Sequence, residues 1–200
     1  CLCLCFLLST AAGVMAQNKL SSTPKDTIKH LQPVTIRGYL SDQPLLNVPA
    51  SVSAIDKAQL GLQPDNSFVS ALNSVPGVRA EERSPGSYRL SIRGSLLRSP
   101  FGIRDVKIYY DEIPLTDAGG NSYLNAVDIN SINHIEILKG PDGSLFGANS
   151  GGVVLLSPVN WRSDSSFVSL GLNGGSYGLI HDNATIQQKS GNNLLNLSQG

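Results

Sequence analysis

The sequence predicts an α+β region of short strands, short helices and long loops up to about residue 158, and then a run of antiparallel strands. Three observations point there. Only 15% of the 200 residues are charged while glycine numbers 20, a balance that favours strands, turns and loops over long helices. One stretch alone, "DNSFVSALNSVPG", carries a clear helical face, with Phe68, Ala71, Leu72 and Val75 at i, i+3, i+4 and i+7. Two-residue alternation recurs through the rest, and its texture changes after Trp161.

The chain opens on "CLCLCFLLSTAAGVMA", residues 1–16. This apolar run ends in small residues, with Val14 and Ala16 placed like the −3 and −1 positions of a signal-peptide cleavage site. It is too short to cross a bilayer as a helix. With neither a starting Met nor a basic n-region, the sequence reads as clipped at its front. All three cysteines lie in the first five residues with no His or acidic residue nearby, so they make no metal site. A mature chain from Gln17 is expected to be cysteine-free and exported.

Residues 17–47 are polar, aperiodic and punctuated by Pro24, Pro33 and Pro44; they read as a flexible N-terminal arm. Within them "VTIRG" is a short β-prone patch. The folded region is expected from Val48. "VSAI" (52–55) reads as a strand, and "DKAQLG" as a turn of helix capped by Asp56 and stopped by Gly61. Pro76-Gly77 ends the next helix. "YRLSIRG" sets Tyr88, Leu90 and Ile92 against Arg89, Ser91 and Arg93, and "VKIYYDEIPL" alternates again from Val106. "INHIEILKG" puts Ile135 and Ile137 on one face with Glu136 and Leu138 on the other, and "GGVVLLSP" is an apolar strand.

In the tail, "SSFVSLGLNGGSYG" places Val168, Leu170 and Leu172 opposite Ser169, Gly171 and Asn173. "GLIHDNATIQQ" repeats this less cleanly, since Asp182 shares a face with Ile180, Ala184 and Ile186. "GNN" reads as a turn and "LLNLSQG" begins a third strand. One apolar face and one small, polar face suit outer-membrane barrel strands; an ordinary amphipathic sheet gives the same signal.

The chemistry is sparse. Lys+Arg 15 balance Asp+Glu 15, so no basic footprint for nucleic acid exists. The loop "GPDGSLFGANSGG" lacks the Lys and Ser/Thr of a phosphate cradle, and no two glycines are spaced G-x-G. His30, His134 and His181 are scattered, and His134, just before a buried strand, reads as a packing or hydrogen-bonding residue. Glu81-Glu82 and Asp111-Glu112 are adjacent pairs, whose members point to opposite faces of a strand. These features give no enzyme, no cofactor and no metal site.

Read in order, "ALNSVPGV" (71–78), "LSIRG" (90–94), "VKIYYDEIPL" (106–115) and "INSINHIEILKGPDGSLFGANSGGVV" (129–154) strongly resemble the plug domain of TonB-dependent outer-membrane receptors. The match covers about residues 48–158, with separate motifs in family order. The resemblance implies a mixed α+β plug inside a barrel of about 22 strands that leaves a plugged lumen. It divides the chain into a signal peptide (1–16), an arm with the TonB box (17–47), the plug (48–158) and the first strands of a barrel embedded in outer-membrane lipid (159–200). Closing that barrel takes some twenty more strands of roughly 9–11 residues, so the sequence reads as the N-terminal fragment of a receptor.

By the same resemblance, "LQPVTIRG" (31–38) sits where a TonB box belongs, with Leu31, Val34, Thr35 and Ile36 adding as a strand to a sheet edge of TonB. Arg93 and Lys139 occupy positions whose cations pair with acids on the barrel wall. The family usually carries Arg at the second, and Lys lacks the bidentate fork. The loops "EERSPGS", "SLLRSPF" and "PLTDAGGNSY" rise toward the ligand, where Arg83, Arg98, Phe101 and Tyr123 suit an anionic, partly aromatic ligand such as a ferric siderophore. The glycine loop, Gly140 to Gly152, is then a structural crossing between two plug strands. Import of an oligosaccharide or peptide by the same machinery is the second reading, and a secreted soluble α+β binding module the third.

Overall fold

A computed structural model describes residues 34–38, 42–63, 67–95, 102–147, 151–158 and 165–200. The two expected segments at the front, the signal peptide and the arm through Pro33, lie outside these residues. The first described strand, β1 (Thr35–Ile36), pairs antiparallel with β2 (Gln43–Pro44). Ile36 is only 1% exposed, so this part of the expected flexible arm is packed against the domain.

From here the expected elements appear in order. β3 (Val52–Asp56) runs into helix α1 (Lys57–Leu60). Asp56 caps it: its carboxylate accepts the Gln59 N–H at 2.7 Å, and the Gln59 side chain accepts the Asp56 N–H at 3.2 Å. This reciprocal capping box satisfies two otherwise orphaned donors. Helix α2 (Phe68–Asn73) starts at the Ser67 cap and buries Phe68, Ala71 and Leu72, as its apolar period requires. Gly77, at φ 80°, makes the following turn.

β4 (Val78–Glu82) and β5 (Tyr88–Ile92) form a hairpin. Leu90 and Ile92 are buried as expected, and Ser91 on the other face is buried too. The main sheet combines β3 with β6 (Val106–Tyr110), β7 (Ile113–Pro114), β8 (His134–Lys139) and β9 (Gly152–Ser157), in the order β3-β8-β9-β6-β7. All its pairings are antiparallel except β6 with β9. Ile135 and Ile137 enter the principal core with Phe68, Leu72, Ile108, Val154 and Leu156. The opposite face carries a smaller cluster of Leu138, Val153 and Leu155 with Tyr109 and Phe146 packed on it. Both faces of β8 and β9 are therefore covered, which explains their nearly unbroken apolar sequence.

The glycine loop crosses from β8 to β9 through a 3-10 turn, Pro141–Phe146. Lys107 Nζ and Tyr109 Oη both donate to the Phe146 carbonyl, at 2.7 and 3.2 Å. Gly152 has φ 134°, and a Cβ there would collide with the Leu138 carbonyl oxygen. Glycine is needed at this point for close backbone approach.

The tail is an antiparallel meander of β10 (Phe167–Gly174), β11 (Ile180–Ser190) and β12 (Asn193–Gln199). Val168, Leu170 and Leu172 stand outward, 66%, 78% and 76% exposed. That alternation fits a barrel wall with lipid outside and a plug within. Among the described residues no helix is long and apolar enough to cross a membrane.

Candidate functional site

The first locus is the packed N-terminal segment. Val34 is half exposed, while Ile36 is buried. The β1–β2 ladder is two residues long, and one partner is Pro44, which has no N–H to give. The Leu45 N–H adds a bond to the Val34 carbonyl at 2.9 Å. A carboxylate holds the other end: the Arg37 N–H donates to both Glu136 oxygens, at 2.9 and 3.0 Å. Glu136 is 3% exposed, and its Oε1 lies 3.2 Å from His134 Nε2. The hydrogen-bonding role expected for His134 is thus located. Arg37 Nε and Asp42 Oδ1 approach to 3.7 Å on the exposed side. Of the box residues proposed from sequence, Val34, Thr35 and Ile36 are together here, and Leu31 lies outside the described residues. Sequence reasoning missed Glu136; the available signal was an acid in the middle of the otherwise apolar run "IEIL".

The second locus brings Arg93 and Lys139 together. Ile92, Arg93, Gly94 and Ser95 form a tight turn closed by the Ser95 N–H to the Ile92 carbonyl at 3.0 Å. Arg93 and Gly94 have φ 52° and 81°, a left-handed pair that costs on the order of 1 kcal/mol at the non-glycine residue. The Arg93 N–H is anchored on the Gly77 carbonyl at 2.8 Å. Its side chain is exposed and reaches the turn after β8, where an added Gly140 Cβ would meet a guanidinium nitrogen at 3.2 Å. Lys139 is 7% exposed and donates from Nζ to the Pro76 carbonyl at 2.7 Å. Burial pushes its pKa below the ordinary lysine value, and the Arg93 charge adds to that. No acidic side chain of the described residues forms an ion pair with either cation. One cation faces outward and the other inward.

The third locus is the loop after β7. Asp117 is its brace. It accepts the Asn121 N–H at 2.9 Å and the Tyr123 hydroxyl at 3.1 Å, and Arg104 Nε donates to Asn121 Oδ1 at 2.9 Å. The Asn121 donors, main chain first, hold the Asp117 carboxyl below the usual range, and the bond to Asp117 pushes the Tyr123 phenol up. Tyr123 is 37% exposed and Arg83 is exposed on the β4–β5 turn. Arg98 and Phe101 lie outside the described residues.

The plug-like domain and the meander meet across a cavity of about 240 Å³. Lys57, Ile129 and Asn133 line one side, and Phe167, Ser169, Gly171 and Asn183 the other. Asn130, which also lines it, is hydrogen-bonded through Nδ2 with His181 Nε2 at 2.8 Å, and Asp128 Oδ1 lies 3.6 Å from the ring. The small, polar face of β10 thus looks toward the domain. Among the described residues no group of three or more His, Cys, Asp or Glu is placed to hold a metal ion.

Known proteins match this arrangement. The model of the TonB-dependent Receptor Plug Domain matches residues 44–154. The vitamin B12 transporter BtuB of Vibrio vulnificus is 28% identical over 142 residues, which cover 69% of this chain and 22% of that protein. The chain therefore spans about a fifth of that relative's length. Among solved structures, the pyoverdine outer membrane receptor FpvA of Pseudomonas aeruginosa superposes with a TM-score of 0.62 at 19% identity, covering 78% of this chain and 22% of that one. The ferric-catecholate import receptor Fiu of E. coli K12 gives 0.55 at 22%, covering 78% and 21%. At these identities the structural likeness speaks for the fold: a mixed-sheet plug followed by antiparallel strands. With more than half of its residues matched in register, the chain belongs to the TonB-dependent receptor plug domain family of the bacterial outer membrane.

Proposed function

We propose that the receptor carrying this chain imports a scarce metal chelate, a ferric siderophore first, across the outer membrane at the expense of energy delivered by TonB. The observation that carries the reading is the pairing of two features in one chain. A plug domain is fronted by a short docked strand, Thr35–Ile36, and backed by a meander whose apolar residues Val168, Leu170 and Leu172 face outward. In this reading, ligand binds the loops that carry Arg83, Arg98, Phe101 and Tyr123. The segment Leu31–Ile36 becomes available to TonB and pairs with it through main-chain hydrogen bonds. Pulling then rearranges the plug, whose Arg93 meets acids of the barrel wall. No bond-making residue is required, because the partner supplies the energy.

Ligand charge supports the siderophore. Arg83 is exposed on the β4–β5 turn and Tyr123 on the braced loop, a cation and an aromatic of the kinds suited to an anionic aromatic chelate. Cobalamin is the second reading, favoured by the 28% identity to a vitamin B12 transporter. The test is uptake by cells producing the full-length receptor, with and without functional TonB, of an iron-loaded catecholate siderophore and of cobalamin. TonB-dependent accumulation of the iron chelate supports the first reading and of cobalamin the second. Uptake of neither above a receptor-free control contradicts metal-chelate import.

A further inference from the structure

Residues 34–38 are held on the domain by a short main-chain ladder. The β1–β2 ladder has two residue pairs, one of them with Pro44. An isolated pair of that size has little stability of its own in water. Beyond the ladder, the Leu45 N–H bond to the Val34 carbonyl, the buried Ile36 side chain and the carboxylate of Glu136 fix the segment.

Glu136 is an unusual residue for its position. β8 is central in the main sheet, flanked by β3 and β9, and its neighbours Ile135, Ile137 and Leu138 are all 0% exposed. A carboxylate placed there loses nearly all of its water and must be repaid by strong donors. Among the described residues, its donors are His134 and the Arg37 N–H, the latter received on both oxygens. Hydrogen bonds to an ionised acceptor are about twice as strong as neutral ones. The carboxylate therefore depends on the segment, and the segment on the carboxylate. Gly38 completes the close approach, since a Cβ there would stand 3.0 Å from Leu138 Cδ1.

We propose that Glu136 is the catch that holds residues 34–38 on the plug, with His134 positioning its carboxylate, and that opening this contact is the step that frees the segment. The functional half of this inference rests on the reading of residues 31–36 as the coupling box. When the segment leaves, Arg37 N–H and Glu136 both gain water, so the contact can part without leaving a dry, unpaired charge. The position of Glu136 in the sheet does not depend on the segment, whose removal leaves the β3–β8–β9 ladder intact. That makes the contact a releasable one.

The test uses the full-length receptor in vesicles, carrying a spin label at Val34→Cys, which is half exposed, or at Arg79→Cys on the β4–β5 hairpin as a control. Glu136→Gln keeps one acceptor oxygen and places an amide against a donor. It is expected to free the Val34 label, leave the Arg79 label unchanged, and raise ligand-free capture by the purified TonB C-terminal domain about tenfold. His134→Gln is expected to give a smaller change in the same direction, and Glu136→Asp a partial one. A Val34 label as immobile as in the parent overturns the catch, as does equal loosening at both labels. A freed Val34 label with unchanged TonB capture supports the catch and overturns the coupling-box reading instead.

Discussion

Arg93 and Lys139 stand at the ends of β5 and β8 and share one corner of the plug, where the guanidinium lies against the Gly140 turn and, after burial, its charge helps to depress the lysine pKa. Two cations side by side are mutually unfavourable, so a compensating anion is called for on the side Arg93 faces. We expect Arg93→Ala to weaken plug retention in the full-length receptor by roughly 3–5 kcal/mol, the scale for breaking an enclosed ion pair. Arg79→Ala, at an exposed pair with Glu81, is expected to change it by less than about 1 kcal/mol. Unfolding force on the plug reads the difference, and equal effects contradict an acidic barrel-wall partner for Arg93.

Lys139 plays another part in that corner. Its ammonium turns inward to the Pro76 carbonyl, so Lys139→Arg adds volume where the site is already filled. A stability loss of about 1–3 kcal/mol is expected from such overpacking, measured by denaturant unfolding of the 200-residue chain. An unchanged midpoint contradicts the inward placement.

The same burial sets a pH dependence. The folded-state pKa of Lys139 lies below its ordinary value, so between the two values the unfolded chain binds the proton that the folded chain has shed. Stability then rises with pH in that window. Comparing the parent with Lys139→Met isolates the slope from the tyrosines, and the parent is expected to gain on the variant as pH climbs toward about 10.4. A constant difference between them contradicts the assignment.

Most of the plug was legible because its local rules agree with its tertiary packing. The helix over Phe68–Asn73 follows from its 3.6-residue period and the Ser67 cap, and the α1 start follows from Asp56 with Gln59 three residues on. The strand β9 follows from an unbroken apolar run. The packing of residues 34–38 was not legible. "VTIRG" is short and set in polar sequence, and the reason it docks lies 99 positions away in Glu136. Likewise "YRLSIRG" predicts one wet face; Ser91 on that face is nonetheless buried, while its cross-strand partner Arg79 stays exposed. The adjacency of Arg93 and Lys139 was legible only as two motifs, since long-range pairing brings them together.

The glycine crossing makes a further prediction. Gly152→Ala places a Cβ against the Leu138 carbonyl at a φ of 134°, which no small side-chain movement relieves. The variant of the 200-residue chain is expected to lose at least about 3 kcal/mol or fail to fold, well beyond the ordinary single-site range. Gly174→Ala, where an added Cβ meets nothing within 4 Å, is expected to stay within about 1 kcal/mol. Similar denaturation midpoints for the two contradict the crossing's close approach.

In the proposed function, the segment ending in β1 couples the full-length receptor to TonB. Ile36→Pro removes a main-chain donor and fixes φ in that segment. The most direct measurement compares energised uptake with surface binding of the same radiolabelled ligand by cells producing the full-length Ile36→Pro receptor. Uptake is expected to fall to the level of a TonB-deficient strain while binding stays within about twofold of the parent. Normal uptake, or equal loss of uptake and binding, contradicts that coupling.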